Sequence, residues 1–288
     1  PNSGGQRGVD VAAVLGIVGG NPDLELAVLQ PITQEHIDRT MALLSKGFCR
    51  CELVENVENL YIQVLLTDAV GNTAQVEARE SHNNITKIVK NGKPLLSQKG
   101  HFFGASQSKE NKGLLSIKNI LDFADCVRME DVKDIIGRQI AYNTAISKEG
   151  LSGCYGVQAG QTLMANGGQK DLRIRAQEAA AAGSDARMSG CPLPVVINSG
   201  SGNQGITVTL PVVEYAKAYG IGEERLCRAL VAANLISVHQ KKYIGSLSAY
   251  CGAVSAACGA AAGIAYMLKE SYEVICDTIT NTIATIGG

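Results

Sequence analysis

The hydrophobic pattern of this chain changes period twice, and each change limits what the flanking segments can become. Up to Gly47 the spacing is helical. GVDVAAVLGIVGG (8–20) is small and apolar, and ITQEHIDRTMALLSKG (32–47) places Thr33 as an N-cap and Gly47 as a C-cap. At Phe48 the period drops to two. CELVENVENLYIQVLLTDAVGNTAQVEARES and NNITKIVKNGKPLLS alternate apolar with polar residues and carry hairpin signals at VGN and NG, which predicts a small antiparallel sheet over about residues 48–100. From about residue 113 helical spacing returns and runs to the end, with an apolar face predicted through Ile117, Ile120, Leu121 and Ala124 and then Val132, Ile135, Ile136 and Ile140. The class that follows is α+β, a predominantly helical body with a small antiparallel β subdomain. Residues 1–47 are expected to form the N-terminal helical part of the core, 48–105 the β-rich subdomain, and 106–288 a helical catalytic-type domain.

Composition narrows the function classes. Lys plus Arg (26) balances Asp plus Glu (27) and no basic run occurs, so a nucleic-acid partner is not expected. Glycine reaches 32 residues and Trp is absent, which favours closely approaching helices over an aromatic-rich sheet core. Nine cysteines at irregular spacing, with no signal peptide, are a poor disulfide framework and indicate a reducing, cytoplasmic compartment. Neither the Cys49/Cys51 pair nor Cys251/Cys258 has zinc-site spacing. The latter two, seven residues apart, are placed on one helix face. Buried cysteines act as small hydrophobes, and that reading extends by default to Cys126, Cys154, Cys191, Cys227 and Cys276. The isolated His36, His82, His101 and His239 are read as structural. The uncharged stretch 246–268 is long enough for a bilayer, but it is Ala, Gly and Ser rather than Leu and Phe, so a buried helix is expected and no membrane partner. That helix could pack within the subunit or across a homodimer.

Four polar glycine-rich stretches interrupt the helical spacing: NSGGQRG (2–8), EGLSGCYG (149–156), SDARMSG (184–190) and NSGSGNQG (198–205). Any one of them could merely end a helix. Together they suit a small anionic ligand, received by backbone N–H groups and short hydroxyls with a helix dipole behind. NSGSGNQG lacks the G-K-[ST] of a P-loop and the G-x-G-x-x-G of a dinucleotide fold. It partly imitates the S-x-G-N-x-G loop of pyridoxal-phosphate dehydratases. Lys170 would have to serve there as the Schiff-base lysine, and no phosphate-cup glycine cluster follows. Asp185 and Arg187 flank one loop, as a substrate clamp or as a helix cap and surface pair.

EGLSG (149–153), SDARM (184–188), NSGSGNQGIT (198–207) and CGAAAGIAY (258–266), in this order, resemble the L-cysteine desulfidase family, which is related to the catalytic domain of bacterial iron-sulfur L-serine dehydratases. The resemblance extends to GVDVAAVLGIVGGN and so covers nearly the whole chain. It implies a [4Fe-4S] lyase that eliminates the β-substituent of L-cysteine, giving pyruvate, ammonia and sulfide. L-serine dehydratase activity and a catalytically silent amino-acid-binding module are the alternatives. By the same resemblance Cys251 matches a cluster ligand, whereas Cys258 matches a position that is not one. Ser199, Gly200, Ser201, Gly202, Asn203 and Gln204 match the substrate loop, Ser152 and Gly153 a second loop, and Asp185 and Arg187 the segment between. His82 matches a histidine of unassigned role. The family's Gly-Cys-Thr-Glu-Pro segment, with its proposed catalytic cysteine, would precede Pro1, and the remaining cluster cysteines would follow Gly288. The expectation is therefore a core lacking both ends, cluster-free and inactive, since one thiolate cannot hold a [4Fe-4S] cluster.

Overall fold

The computed structural model describes residues 3–58, 60–80, 84–97, 114–168, 171–244 and 251–287. Its class is α+β, with ten α-helices and one four-stranded antiparallel sheet among the described residues. Two units divide the chain: Pro1–Glu52 with Ser116–Lys241 and Tyr250–Gly288, and Leu53–Leu115 with Lys242–Ala249. His82, His101, Lys170 and the first five residues of the 246–268 stretch lie outside the described residues.

The first unit is helical. Helices α1 (Val9–Gly19) and α2 (Gln34–Leu44) pack through Val11, Leu15, Ile32 and Ile37. Thr33 stands at the N-cap of α2, where its N–H donates to His36 Nδ1 at 3.2 Å, and Phe48 N–H reaches back to the Leu43 carbonyl at 3.2 Å to close the other end. His36 is thus a structural histidine. The rest of the unit comprises α3 (Ile117–Cys126), α4 (Met129–Ser152), the short α5 (Ala159–Leu163), α6 (Leu172–Met188), α7 (Gly202–Ala218), α8 (Glu223–Ile244), α9 (Ala253–Met267) and α10 (Tyr272–Gly287).

Contacts between these helices fix their directions. Along α6 and α7, Arg187 meets Gly202, Gly183 meets Ile206, and Arg175 pairs with Glu214 at 3.3 Å, so the two run antiparallel. Helix α4 runs the same way as α6, with the Ser147 hydroxyl on the Ala179 carbonyl at 2.7 Å and Gly150 against Ala182. Helices α8 and α9 are antiparallel, Gly259 lying on Ala233 and Ser237 and Gly263 on Ala229 and Ala233. A Cβ at Gly150 or Gly259 would run into a backbone carbonyl, so glycine here allows near-contact of backbones. Ile146, Ile206, Leu210, Leu230, Ile236 and Met267 fill the space between, each stabilising the unit by roughly 2 kcal/mol when fully buried.

Two expectations need correction. The buried face of α4 runs through Ile136, Gln139, Asn143, Ile146, Ser147 and Gly150, while Ile135 is 59% exposed. The stripe is half polar because Asn143 bonds the Val196 backbone, Gln139 the Asn234 amide and Ser147 the Ala179 carbonyl of α6. Also, α9 begins at Ala253, so Cys251 precedes it and is exposed, whereas Cys258 is fully buried; they share no face. No helix among the described residues is long and apolar enough to cross a membrane.

The second unit holds β1 (Tyr61–Thr67), β2 (Thr73–Arg79), β3 (Ile85–Lys90) and β4 (Lys93–Ser97) in the order β1-β2-β3-β4. Val64, Val76 and Ile88 lie in register across three strands. The NG signal is the two-residue turn Asn91–Gly92, and VGN sits in the turn closed by Asp68 and Asn72. The sheet starts at Tyr61 rather than Phe48, as no strand forms over residues 48–58 and Leu53 there is 89% exposed.

Candidate functional site

The helix directions bring three of the four predicted loops to one end of the helical unit, while NSGGQRG lies beside Ile37 of α2. The C-termini of α4 and α6, which carry EGLSG and SDARM, meet the N-terminus of α7, which NSGSGNQG opens. Gly252 at the N-terminus of α9 lies against the Gln204 side-chain amide, so the residue after Cys251 touches the same loop. Two helix N-termini therefore converge here. Ser201 and Gly252, their N-cap residues, make no side-chain cap hydrogen bond. Converging, uncapped N-termini favour an anion.

The loop itself is a tight reversal. Asn198 and Ser201 exchange backbone bonds of 3.1 and 3.0 Å around Ser199 (φ 49°) and Gly200 (φ 85°), the left-handed pair that such a two-residue turn requires. Buried side chains hold it from behind. Asn143, fully buried on α4, accepts from Val196 N–H at 3.0 Å and donates to the Val196 carbonyl and to Thr209 Oγ1, both at 3.2 Å. Asn198, 5% exposed, donates to the Asn234 carbonyl at 3.2 Å and Oδ1 at 2.8 Å and accepts from Ser199 and Ser237 hydroxyls at 2.9 and 3.0 Å. Asn234 exchanges amide bonds of 3.0 and 3.1 Å with Gln139. Gln139, Asn143, Asn234 and Ser237 had no place among the sequence candidates, because each reads as an ordinary polar residue within a helix.

The predicted side chains have distinct surroundings. Arg187 lies over Gly202, where a Cβ would strike its guanidinium, and donates to Asn203 Oδ1 at 3.2 Å. Gln204 is 4% exposed and its Oε1 has no hydrogen-bond partner. Asp185 accepts from Ala159 N–H at 2.7 Å and so holds the start of α5. The Ser152 hydroxyl bonds back to the Lys148 and Glu149 carbonyls, both at 3.2 Å, and the Gly153 carbonyl accepts from Gln161 Nε2 at 2.5 Å. Tyr155 closes that second loop by donating to Glu149 at 2.9 Å, and this bond, with Cys191 nearby, pushes the phenol up to about 12.

The thiols divide by environment. Cys191, Cys227 and Cys258 are buried, and burial pushes Cys258 up to about 11, as befits a small hydrophobe. Cys126 and Cys154 are exposed at helix ends and loop, contrary to the default reading. All nine cysteines are free, and no three His, Cys, Asp or Glu side chains gather to hold a metal among the described residues. Among the described residues, the donors around Cys251 fall short of the three thiolates that a [4Fe-4S] cluster needs.

Fold and site define an α+β protein in which a glycine-rich turn opens one helix beside the N-terminus of another. The chain belongs to the serine dehydratase alpha chain family, whose pattern matches residues 23–288. Membership points to a serine-dehydratase-like lyase with an amino-acid substrate. A UPF0597 protein of Lachnoclostridium phytofermentans is 45% identical over 98% of this chain and 67% of its own length. Others from Treponema denticola (40%) and Finegoldia magna (42%) match over 100% of this chain and 68% of theirs. No solved structure matches the chain.

Proposed function

We propose that this end of the helical unit binds the substrate of a β-eliminating lyase that converts L-cysteine to pyruvate, ammonia and sulfide, with L-serine as the alternative substrate. The observation that carries the reading is the convergence of SDARM, NSGSGNQG and the Cys251–Gly252 step on the N-termini of α7 and α9. Arg187 and the N–H groups of α7 receive the carboxylate, and drawing charge there makes the adjacent Cα–H easier to ionise. Gln204 Oε1, buried and unpartnered, is an acceptor awaiting a donor. EGLSGCYG shapes the wall through Gly153 and Tyr155 rather than through the Ser152 hydroxyl, which is turned back on its own helix.

The same reading makes Cys251 one thiolate of a [4Fe-4S] cluster. Among the described residues no two further metal-binding side chains gather with it, so this chain by itself is proposed to be cluster-free, and no step is assigned to the cluster. The second reading is an amino-acid-binding module without turnover, in which the same loops hold the ligand. The test is anaerobic reconstitution of the protein from its full reading frame with iron and sulfide, followed by assay of sulfide and pyruvate from L-cysteine and of pyruvate from L-serine. Equal sulfide and pyruvate from L-cysteine supports the lyase. Binding of either amino acid without product supports the silent module, and neither binding nor product removes both.

A further inference from the structure

We infer that Ser199 receives the ammonium group of the ligand as a pure hydrogen-bond acceptor, its own proton being committed inward by a buried amide relay. This deepens the amino-acid reading above and rests on it. The direction of every bond in the relay is set by two backbone carbonyls, which can only accept.

Asn234 Nδ2 lies 2.8 Å from the Leu230 carbonyl, so that end of its amide donates and its Oδ1 accepts. Asn198 Nδ2 lies 3.2 Å from the Asn234 carbonyl, which fixes Asn198 in the same sense and turns its Oδ1 toward Ser199 and Ser237. The exchange between Gln139 and Asn234 agrees with this polarity. A carbonyl-type oxygen has no proton to give, so both serine hydroxyls donate to it. Ser237 is fully buried and ends the relay. Ser199 is half-buried at the crest of the turn, and with its single proton directed inward it presents only lone pairs to an incoming group.

An ammonium, with three donors and no acceptor, complements those lone pairs, whereas a carboxylate would face them repulsively. The carboxylate belongs instead with Arg187 and the α7 N-terminus. Gln139, Asn198 and Asn234 are positioning residues in this account, since they act only through Ser199.

The test compares two probes of one carbon skeleton, L-serine and 3-hydroxypropionate, the latter carrying a hydrogen in place of the ammonium and so no donor at that carbon. Their dissociation constants are measured by calorimetry on the full chain, on Ser199→Ala and on Ser199→Gly. The glycine variant deletes the same hydroxyl while suiting φ 49°, which guards against misfolding of the alanine variant. The expected result is a loss of about tenfold in L-serine affinity, with 3-hydroxypropionate unchanged within about twofold, so the preference for the ammonium collapses. Equal weakening of both probes would overturn the assigned polarity while leaving the amino-acid reading intact. If the unaltered chain binds neither probe, the amino-acid reading itself fails and the inference with it.

Discussion

Glu77 in the sheet unit and Glu178 in the helical unit are equally withdrawn from water, each 7% exposed, yet they are kept in opposite ways. Glu77 accepts from Arg79 Nε at 2.7 Å, Tyr61 OH at 3.0 Å and Thr86 Oγ1 at 3.1 Å, and the Arg79 bond above all holds its carboxyl below the usual range. Glu178 has no hydrogen-bond partner at Oε2, and burial, followed by repulsion from Glu214, pushes its carboxyl up. The sheet unit buries little else than Leu60 among its described residues, so side-chain pairing carries much of its stability. The helical unit is held by backbone near-contacts and a large core, and it tolerates unpartnered polar groups. Gln204 Oε1 is another, and it lies in the candidate site.

One substitution made in both units would break or sharpen this contrast most. Gly150→Ala would drive a methyl into the Ala182 carbonyl between α4 and α6, and an unfolding free energy lower by more than about 3 kcal/mol is expected in urea melts. Gly92→Ala meets nothing within 4 Å and bears only the strain of φ 75°, about 1 kcal/mol, read as faster amide exchange in β3 and β4. Equal costs would mean that close helix contact is not what distinguishes the helical unit.

Asn143→Ala is next. It strips partners from Val196 N–H, the Val196 carbonyl and Thr209 Oγ1 at a site with no exposure, although Thr209 keeps its 2.6 Å bond to the Gly205 carbonyl. A loss of about 2–3 kcal/mol is expected in the same urea melts. Weakened ligand binding should accompany it, since the loop loses its anchor. A loss below about 0.5 kcal/mol would show that the loop holds its own shape.

Asn143 also marks how far the sequence could be read. The two changes of period announced the α+β class, and NSGSGNQG announced both a helix start and a ligand loop, because local geometry demands those residue types. The residues behind the loop gave no such signal. Gln139, Asn143 and Ser147 occupy positions where a helix normally shows its apolar stripe, and a polar residue there reads as a gap in the stripe until α6, α7, α8 and the Val196 backbone are seen to need partners. The wrong start of the sheet has a similar cause. CELVEN alternates like a strand but pairs with none, and alternation without a partner leaves backbone groups to water. Asp185 illustrates the opposite case, a charged residue in a family motif that the fold uses to hold α5.

Glu178→Gln tests the helical half of the contrast through pH. A raised folded-state pKa means the folded chain holds the proton longer, so wild-type stability is greatest below the ordinary carboxylate range and falls as pH rises through the folded pKa. Removing the charge should therefore gain about 1 kcal/mol at pH 7 and nothing at pH 4, measured as denaturant midpoints across that range. A variant no more stable than wild type at pH 7 would mean that Glu178 finds its charge partner after all.

Glu77→Gln carries the reverse sign and the smallest effect. A lowered folded-state pKa gives stability that is present above the unfolded carboxylate pKa and is lost as pH falls through the folded value. The variant should cost about 0.5 kcal/mol at pH 7, a small amount because the Arg79 side chain is 37% exposed and water screens the pair. Below the folded pKa the two proteins should converge, read as amide exchange of β1 and β2, where Tyr61 and Arg79 pair across the strands. The exchange of α6 and α7 should not differ between the two proteins at any pH, since Glu77 has no hydrogen-bond partner there. If lowering the pH instead protects the β1 and β2 amides, Glu77 behaves like Glu178, and the two units share one way of burying a carboxylate.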